Sequence, residues 1–501
     1  MPLEHHPHFH VAIIGTGFGG IGAAVKLKEA GFDDLVIFER AGDIGGVWRD
    51  NTYPGAACDV QSHLYGFSFA SNATWSRRFS PQAEIWTYLR DVAERFRVLP
   101  HIRFRHDVQE ARWEHEHTRW RIRTSAGTYT ADVLVAAPGA LAEPRLPDIP
   151  GIESFAGPIL HSARWDNDLD LFRKRVAVVG TGASAIQIVP AIQTIVEQLT
   201  LFQRSAPWVV PRRDRGFGKR TSRLLTRQPG LLRAIRTGLY HVREASGLLF
   251  RYPLLARLLE NVARLHLRRQ VRDPDLRRVL TPRYRFGCKR ILLSDDYYPA
   301  LVRQNVTVVD GPAVTISPAG VAGPDGIVHA ADVLVLATGF HVTDVPFARH
   351  VRRDDGTRLS EVWGASPTAH LGTTVTGFPN FFLLMGPNTG LAHTSVILMI
   401  EAQIAHVLNA LTWMRRNRLA AVEPRPEAQA AFVEEVDRAA EGTVWTTGGC
   451  DSWYLDATGR SGALWPRSVG AFRRRVSAFD PDEYILHPAG AGKHHLETPH
   501  A

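Results

Sequence analysis

A glycine pattern occurs twice in this chain, 165 residues apart, and it constrains the fold more than any other feature. The first copy lies in HFHVAIIGTGFGGIGAAVKLKEAGFDDLVIFER, where an apolar run at residues 11–14 leads into Gly15, Gly17 and Gly20. That G-x-G-x-x-G spacing predicts a strand, a tight turn and a helix. The first glycine allows the turn, the second lets a pyrophosphate approach the backbone, and the third packs helix on strand. The helix N-terminus then presents its positive end to the phosphates. Gly31 is placed to end the helix, and a second strand ends at Glu39, 24 residues after Gly15. A carboxylate there suits a ribose diol.

The second copy, KRVAVVGTGASAIQIVPAIQTIVEQLTLFQRS, has Gly180, Gly182 and Ala185 on the same spacing. Here the residue 24 places after the first glycine is Arg204. A carboxylate repels a 2′-phosphate, whereas a guanidinium binds it through charge-assisted hydrogen bonds. The first cradle is therefore expected to hold FAD and the second NADPH.

Two further stretches, DVLVAAPGA at residues 132–140 and DVLVLATGF at 332–340, read as apolar strands ending in small-residue turns. Paired endings of this kind imply one domain inserted in another. The predicted fold class is α/β, with two Rossmann-like dinucleotide-binding domains, the second inserted in the first, and a helical insertion. The expected boundaries are 1–150 and 342–501 for the FAD-binding domain, 151–211 and 286–341 for the NADPH-binding domain, and 212–285 for the helices.

The formal charge of +9 does not point to nucleic acid, because it is local: residues 212–285 hold 20 Lys and Arg against 5 Asp and Glu. No uninterrupted run of eighteen apolar residues exists and MPLEHHPHFH lacks the layout of a signal peptide, so a cytoplasmic protein is expected. The four early histidines read as a frayed, solvated terminus. Cys58, Cys288 and Cys450 are too few and scattered for a disulfide framework or a thiolate metal site; no metal is expected. The absence of CxxC also argues against a flavin disulfide reductase.

Between the cradles stands FAGPILHSARWD, residues 155–166, which fits F-x-G-x-x-x-H-x-x-x-W-[P/D] with Phe155, Gly157, His161, Trp165 and Asp166 in place. With GGVW at 45–48, YPGAACD at 53–59, FGCKR at 286–290 and SWY at 452–454, the chain resembles the type I Baeyer–Villiger monooxygenases over nearly its whole length. The resemblance implies that the fingerprint lies at a hinge coupling the two domains. It implies that Arg290 is the catalytic arginine beside a flavin peroxide, and that Asp59 orients it. It further implies flavin contacts at Phe18, Gly46, Val47, Trp48, Tyr65 and the Val108 backbone. Thr181, Gly182, Ala183, Ser184, Ala185 and Gln187 match pyrophosphate and nicotinamide contacts. Arg204, Ser205 and Lys289 match contacts to the 2′-phosphate, and Trp453 an aromatic residue of a mobile loop closing over NADP.

The implied reaction inserts one atom of O2 beside a ketone carbonyl to give an ester or lactone, with sulfoxidation as a side activity. An N- or S-oxidising flavin-containing monooxygenase is the nearest alternative, and a flavoprotein acting only as a redox sensor a second. The segment from residue 216 to 282 reads as helices, with leucines near helical spacing and breaks at Pro229 and Pro253. Its charge reads most simply as a solvated face. Contact with anionic membrane lipid is the other reading.

Overall fold

The computed structural model describes residues 6–489. Two largely parallel sheets organise it. The first is centred on β1 (His8–Ile14) and includes β2 (Leu35–Glu39), β3 (Ile102–Phe104), β4 (Val108–Glu114), β5 (Arg119–Thr124) and β6 (Gly127–Ala136). Residues 11–14 of β1 and all of β2 are buried. Strands covered on both faces read as unbroken apolar runs, and these do. The long β6 serves two roles, pairing antiparallel with β5 through its first half and parallel with β1 through its second.

The second sheet contains β7 (Ile159–His161), β8 (Arg175–Val179) and β9 (Gln198–Phe202). A short parallel pair, β10 (Val209–Val210) and β11 (Leu292–Leu293), lies outside it. It is completed by β12 (Val306–Val309) and, after a three-stranded flap of β13 (Thr315–Ser317), β14 (Gly320–Ala322) and β15 (Val328–Ala330), by β16 (Val333–Leu336). The order β12-β9-β8-β16-β7 is parallel throughout. The chain then returns to the first sheet, adding β17 (Val351–Arg352) beside β4 and β18 (Phe381–Leu383) beside β6. The two strand endings expected from the sequence are β6 and β16. They are followed by chain segments that touch, with the Arg145 N–H donating to the Gly339 carbonyl at 2.9 Å.

The helices that position the site are α1 (Phe18–Glu29), α2 (Val47–Asp50), α3 (Gln82–Arg95) and α4 (Ala185–Gln193). Four more form the basic segment: α5 (Lys219–Arg227), α6 (Pro229–Arg251), α7 (Pro253–Gln270) and α8 (Pro274–Val279). Pro229 and Pro253 each open a helix, where a missing N–H costs nothing. The helix Ile397–Asn417 is long and apolar enough to cross a membrane, but 67% of its most apolar window is buried. It is a core helix, packed against α1.

Two expectations need correction. The early histidines are not all frayed: His8 and His10 lie in β1, and the His10 imidazole meets Asp132 at 3.0 Å. Although burial pushes the Asp132 carboxyl up, hydrogen bonds from His10 and His8 hold it at about 2. His5 lies outside the described residues. The fingerprint, expected at a hinge between the domains, contributes a strand. Its central residues form β7, the edge strand of the second sheet, in register Ile159 with Leu334 and His161 with Leu336. The second correction concerns the cysteines: Cys288 and Cys450 form a disulfide across a separation of 162 residues, with Cα atoms 6.2 Å apart.

Candidate active site

The two cradles are built alike. Gly15, at φ +94°, donates its N–H to the Phe38 carbonyl at 2.9 Å, and Gly180, at φ +114°, donates to Phe202 at 3.2 Å. A Cβ on either would sit 2.5 or 2.4 Å from the carbonyl oxygen of Ala137 or Ala337, so both positions require glycine. The middle glycines differ from these. A Cβ on Gly182 would meet nothing within 4 Å, and one on Gly17 only Gly46 Cα. Open space over a middle glycine is what an approaching pyrophosphate needs. At the third position Gly20 touches Gly15, whereas α4 starts only at Ala185 and accommodates its methyl.

Glu39 is buried at the end of β2 and already engaged. Its carboxylate accepts from Thr16 N (3.1 Å), Thr16 Oγ1 (2.5 Å), Ala41 N (2.9 Å) and Arg49 (3.0 Å). It therefore fastens the cradle loop. Beyond the second cradle, Arg204, Ser205, Lys289, Arg283 and Tyr284 line a cavity of about 340 Å³ together with residues 449–451. Lys289 Nζ donates to Ser205 Oγ at 3.1 Å, and burial, with Arg204 nearby, pulls its ammonium below the ordinary value. Arg204 is exposed and 3.7 Å from Asp451. Three cations, Arg204, Arg283 and Lys289, thus line one cavity against the single carboxylate of Asp451, an excess of positive charge that favours an anion.

Between the cradles one stretch of chain joins both. Gly46 faces Gly17 at the mouth of the first, and the Trp48 indole in α2 donates to Tyr65 Oη at 3.0 Å. Phe18 packs edge-on against Tyr65, and Val108 opens β4 close by, two residues after His106 donates its N–H to the Glu39 carbonyl. Farther along, Gln187 of α4 accepts from Tyr53 Oη at 2.9 Å and donates to the Ala57 carbonyl at 2.9 Å. Thr181 Oγ1 donates to the Ser205 carbonyl, and Ala183 is exposed. The loop that follows Ala57 carries Asp59.

Asp59 and Arg290, 231 residues apart, form a forked ion pair with two hydrogen bonds of 2.8 Å. Their side chains retain 25% and 27% of their exposure. Asp59 is the chief cause that raises the Arg290 guanidinium above its already high value, so its charge is permanent. The buried Tyr454 hydroxyl faces that guanidinium without a hydrogen bond of standard geometry, and burial pushes it up to about 12. Its ring contacts that of Trp453, which is 40% exposed. The disulfide fixes this loop: Cys288 precedes the two cations Lys289 and Arg290, and Cys450 lines the same cavity as Lys289.

The fingerprint residues stand apart from this centre. Phe155 is buried, a Cβ on Gly157 would lie 2.1 Å from the Asp332 carbonyl oxygen, and Trp165 packs on the core of the second sheet. Asp166 caps its own turn, accepting from Asp168 N. His161 Nδ1 accepts from Ala163 N, and burial lowers the imidazole to about 4, so it is neutral at pH 7.

Sequence reasoning missed the arginines that enter from the basic segment, Arg212 from the loop before α5 and the others from α6. Arg212 donates to the Cys58 carbonyl at 3.2 Å, Arg236 to the His63 and Leu64 carbonyls, and Arg243 Nε to Gln61 Oε1 at 2.8 Å. Glu244 meets His393 at 3.0 Å. A signal was present: Arg236 and Arg243 share the helical phase of Leu232, Leu239 and Phe250.

This geometry has counterparts among known proteins. A Baeyer–Villiger monooxygenase from Streptomyces coelicolor is 48% identical over 489 residues, covering 97% of this chain and 94% of that protein. The chain belongs to the Baeyer–Villiger monooxygenase family. Residues 12–216 match the pyridine nucleotide-disulphide oxidoreductase family, a span that takes in both cradles. Among solved structures, cyclohexanone monooxygenase from Rhodococcus sp. Phi1 bound to NADP+ superposes with a TM-score of 0.86 at 29% identity, covering 97% of this chain and all of that one. The OTEMO complex with FAD and NADP gives 0.87 at 28%, covering 96% and 100%.

Proposed function

We propose that this family member binds FAD in the first cradle and NADPH in the second, and inserts one oxygen atom of O2 beside a ketone carbonyl to give an ester or lactone. The observation that carries the reading is the Asp59–Arg290 pair, a permanent cation held between the two cradles and still partly open. The residues present fit both groups. Gly17 and Gly182 leave space for a pyrophosphate, Glu39 stands at the ribose position, and Arg204, Ser205 and Lys289 surround a cavity suited to a 2′-phosphate. The sheets support the assignment of residues 1–150 and 342–501 to an FAD unit, 151–211 and 286–341 to an NADPH unit, and 212–285 to a helical insertion.

FAD held by the first cradle would supply the electrons that activate dioxygen, drawn from NADPH held by the second. The protein supplies charge, position and dryness. Arg290 holds fixed donors where negative charge gathers on oxygen, and Asp59 sets the plane of the guanidinium. Tyr454, Trp445 and Phe250 pack behind the site and exclude water. Thioethers meeting the same activated oxygen would give sulfoxides as a side product.

The test is NADPH oxidation with a panel of ketones, thioethers and amines, with products and hydrogen peroxide quantified. Ketone-dependent consumption matched by ester is the expected result. Oxygenation confined to nitrogen or sulfur would overturn the reading, as would substrate-independent oxidation that releases only peroxide.

A further inference from the structure

The basic helices turn apolar side chains toward solvent. Among the described residues, nine of the 21 exposed large apolar side chains fall between residues 224 and 265, less than a tenth of the chain. Leu248, Tyr252, Leu255, Leu258, Val262 and Leu265 are each 41–66% exposed and follow at intervals of three or four residues. On α7 the last four of these form one stripe, opposite the buried Ala256, Ala263 and Leu267. An amphipathic helix of a globular protein shows solvent its polar face. Here the outward face holds leucine and valine, flanked by Arg251, Arg257, Arg268 and Arg269, which make no ion pair among the described residues.

We infer that α6 and α7 form a docking surface for a bilayer carrying anionic headgroups. Exposed leucines flanked by free arginines match the layout of a helix lying in a membrane interface, where apolar groups enter the acyl boundary and cations meet the headgroups. Charge decides against a second copy of the chain. Residues 212–285 carry 20 cationic against 5 anionic side chains, so two such faces repel each other, whereas an anionic leaflet attracts them. The opposite side of α6 supplies Arg236, Arg243 and Glu244 to the site, so the docked helix is the one that borders the reaction centre.

The test is sedimentation of the full flavin-loaded chain with vesicles of phosphatidylcholine containing about one third phosphatidylglycerol, against pure phosphatidylcholine. The reading needs no turnover, so it stands apart from the identity of the oxygenated product. Binding to the anionic vesicles, weakened by salt, is expected. Leu258→Asn with Val262→Asn, and separately Arg268→Glu with Arg269→Glu, should each lower partition by about tenfold or more while flavin content and Tm hold. Absence of binding to anionic vesicles, or equal binding by both double variants, would overturn the proposal. So would a concentration-dependent dimer that the Leu258/Val262 variant abolishes without any vesicle binding, because the face would then belong to a second copy.

Discussion

Replacing Arg290 with alanine separates electron supply from oxygen transfer. The variant deletes both 2.8 Å hydrogen bonds to Asp59 and leaves a carboxylate, three quarters shielded from water, without its counter-charge. Charge-assisted hydrogen bonds contribute about 1.5–3 kcal/mol each, and solvent at the open quarter reduces that, so a stability loss of roughly 2 kcal/mol is expected. Catalysis should suffer more. Withdrawing one fixed donor from developing negative charge typically lowers a rate by about a hundredfold to a thousandfold, or ~2.7–4 kcal/mol. The cradles lie elsewhere in the chain and their backbone contacts do not use Arg290, so NADPH binding and flavin reduction should persist. Stopped-flow reduction without oxygen should match the parent, while steady-state turnover should release peroxide in place of ester. Ester yield per NADPH within tenfold of the parent would refute the role given to this cation. Arg290→Lys is a second check: the charge remains but the fork is lost, so activity should recover only in part.

Lys289→Ala should raise KM for NADPH by about tenfold to a hundredfold with little change in kcat, and should narrow the preference over NADH, both read from initial rates. The glycines predict opposite outcomes. Gly20→Ala puts a Cβ 1.8 Å from the Gly15 oxygen and should cost the chain its flavin, whereas Gly182→Ala should leave flavin content and Tm intact and raise KM for NADPH alone. Glu483 gives a pH test. A hydrogen bond from His370, then Arg475, holds its carboxyl at about 2, below the unfolded value of roughly 4.3. The folded value is depressed, so the contribution, about 3 kcal/mol at most, is present above pH ~4 and lost as pH falls toward 2. The Tm gap between the parent and Glu483→Gln should therefore close over that window.

Much of the site was legible because it is local. The glycine spacings, Glu39 and Arg204 sit within thirty-odd residues of the turns they serve, and a strand–turn–helix unit fixes their relative places whatever the rest of the chain does. What was illegible depends on tertiary pairing. Three residues make β7, too few to show a period, and their partner β16 lies far along the chain. Likewise the insertion showed helical periodicity, but periodicity fixes a face without saying on which side the core lies. Leu258 and Val262 of that periodic pattern stand in solvent, while Arg236 and Arg243, part of a charge that reads most simply as a solvated face, point inward. Asp59 and Arg290 were found by resemblance alone, since nothing local marks either one.

The Cys288–Cys450 bond has a consequence for how this protein is handled. It staples the strip bearing Lys289 and Arg290 to residues 449–451, at the rim of the cavity that Lys289 and Cys450 both line. Material kept with dithiothreitol and material kept without it would then differ at the rim of that cavity, and any anion held there would feel the thiol balance of the buffer.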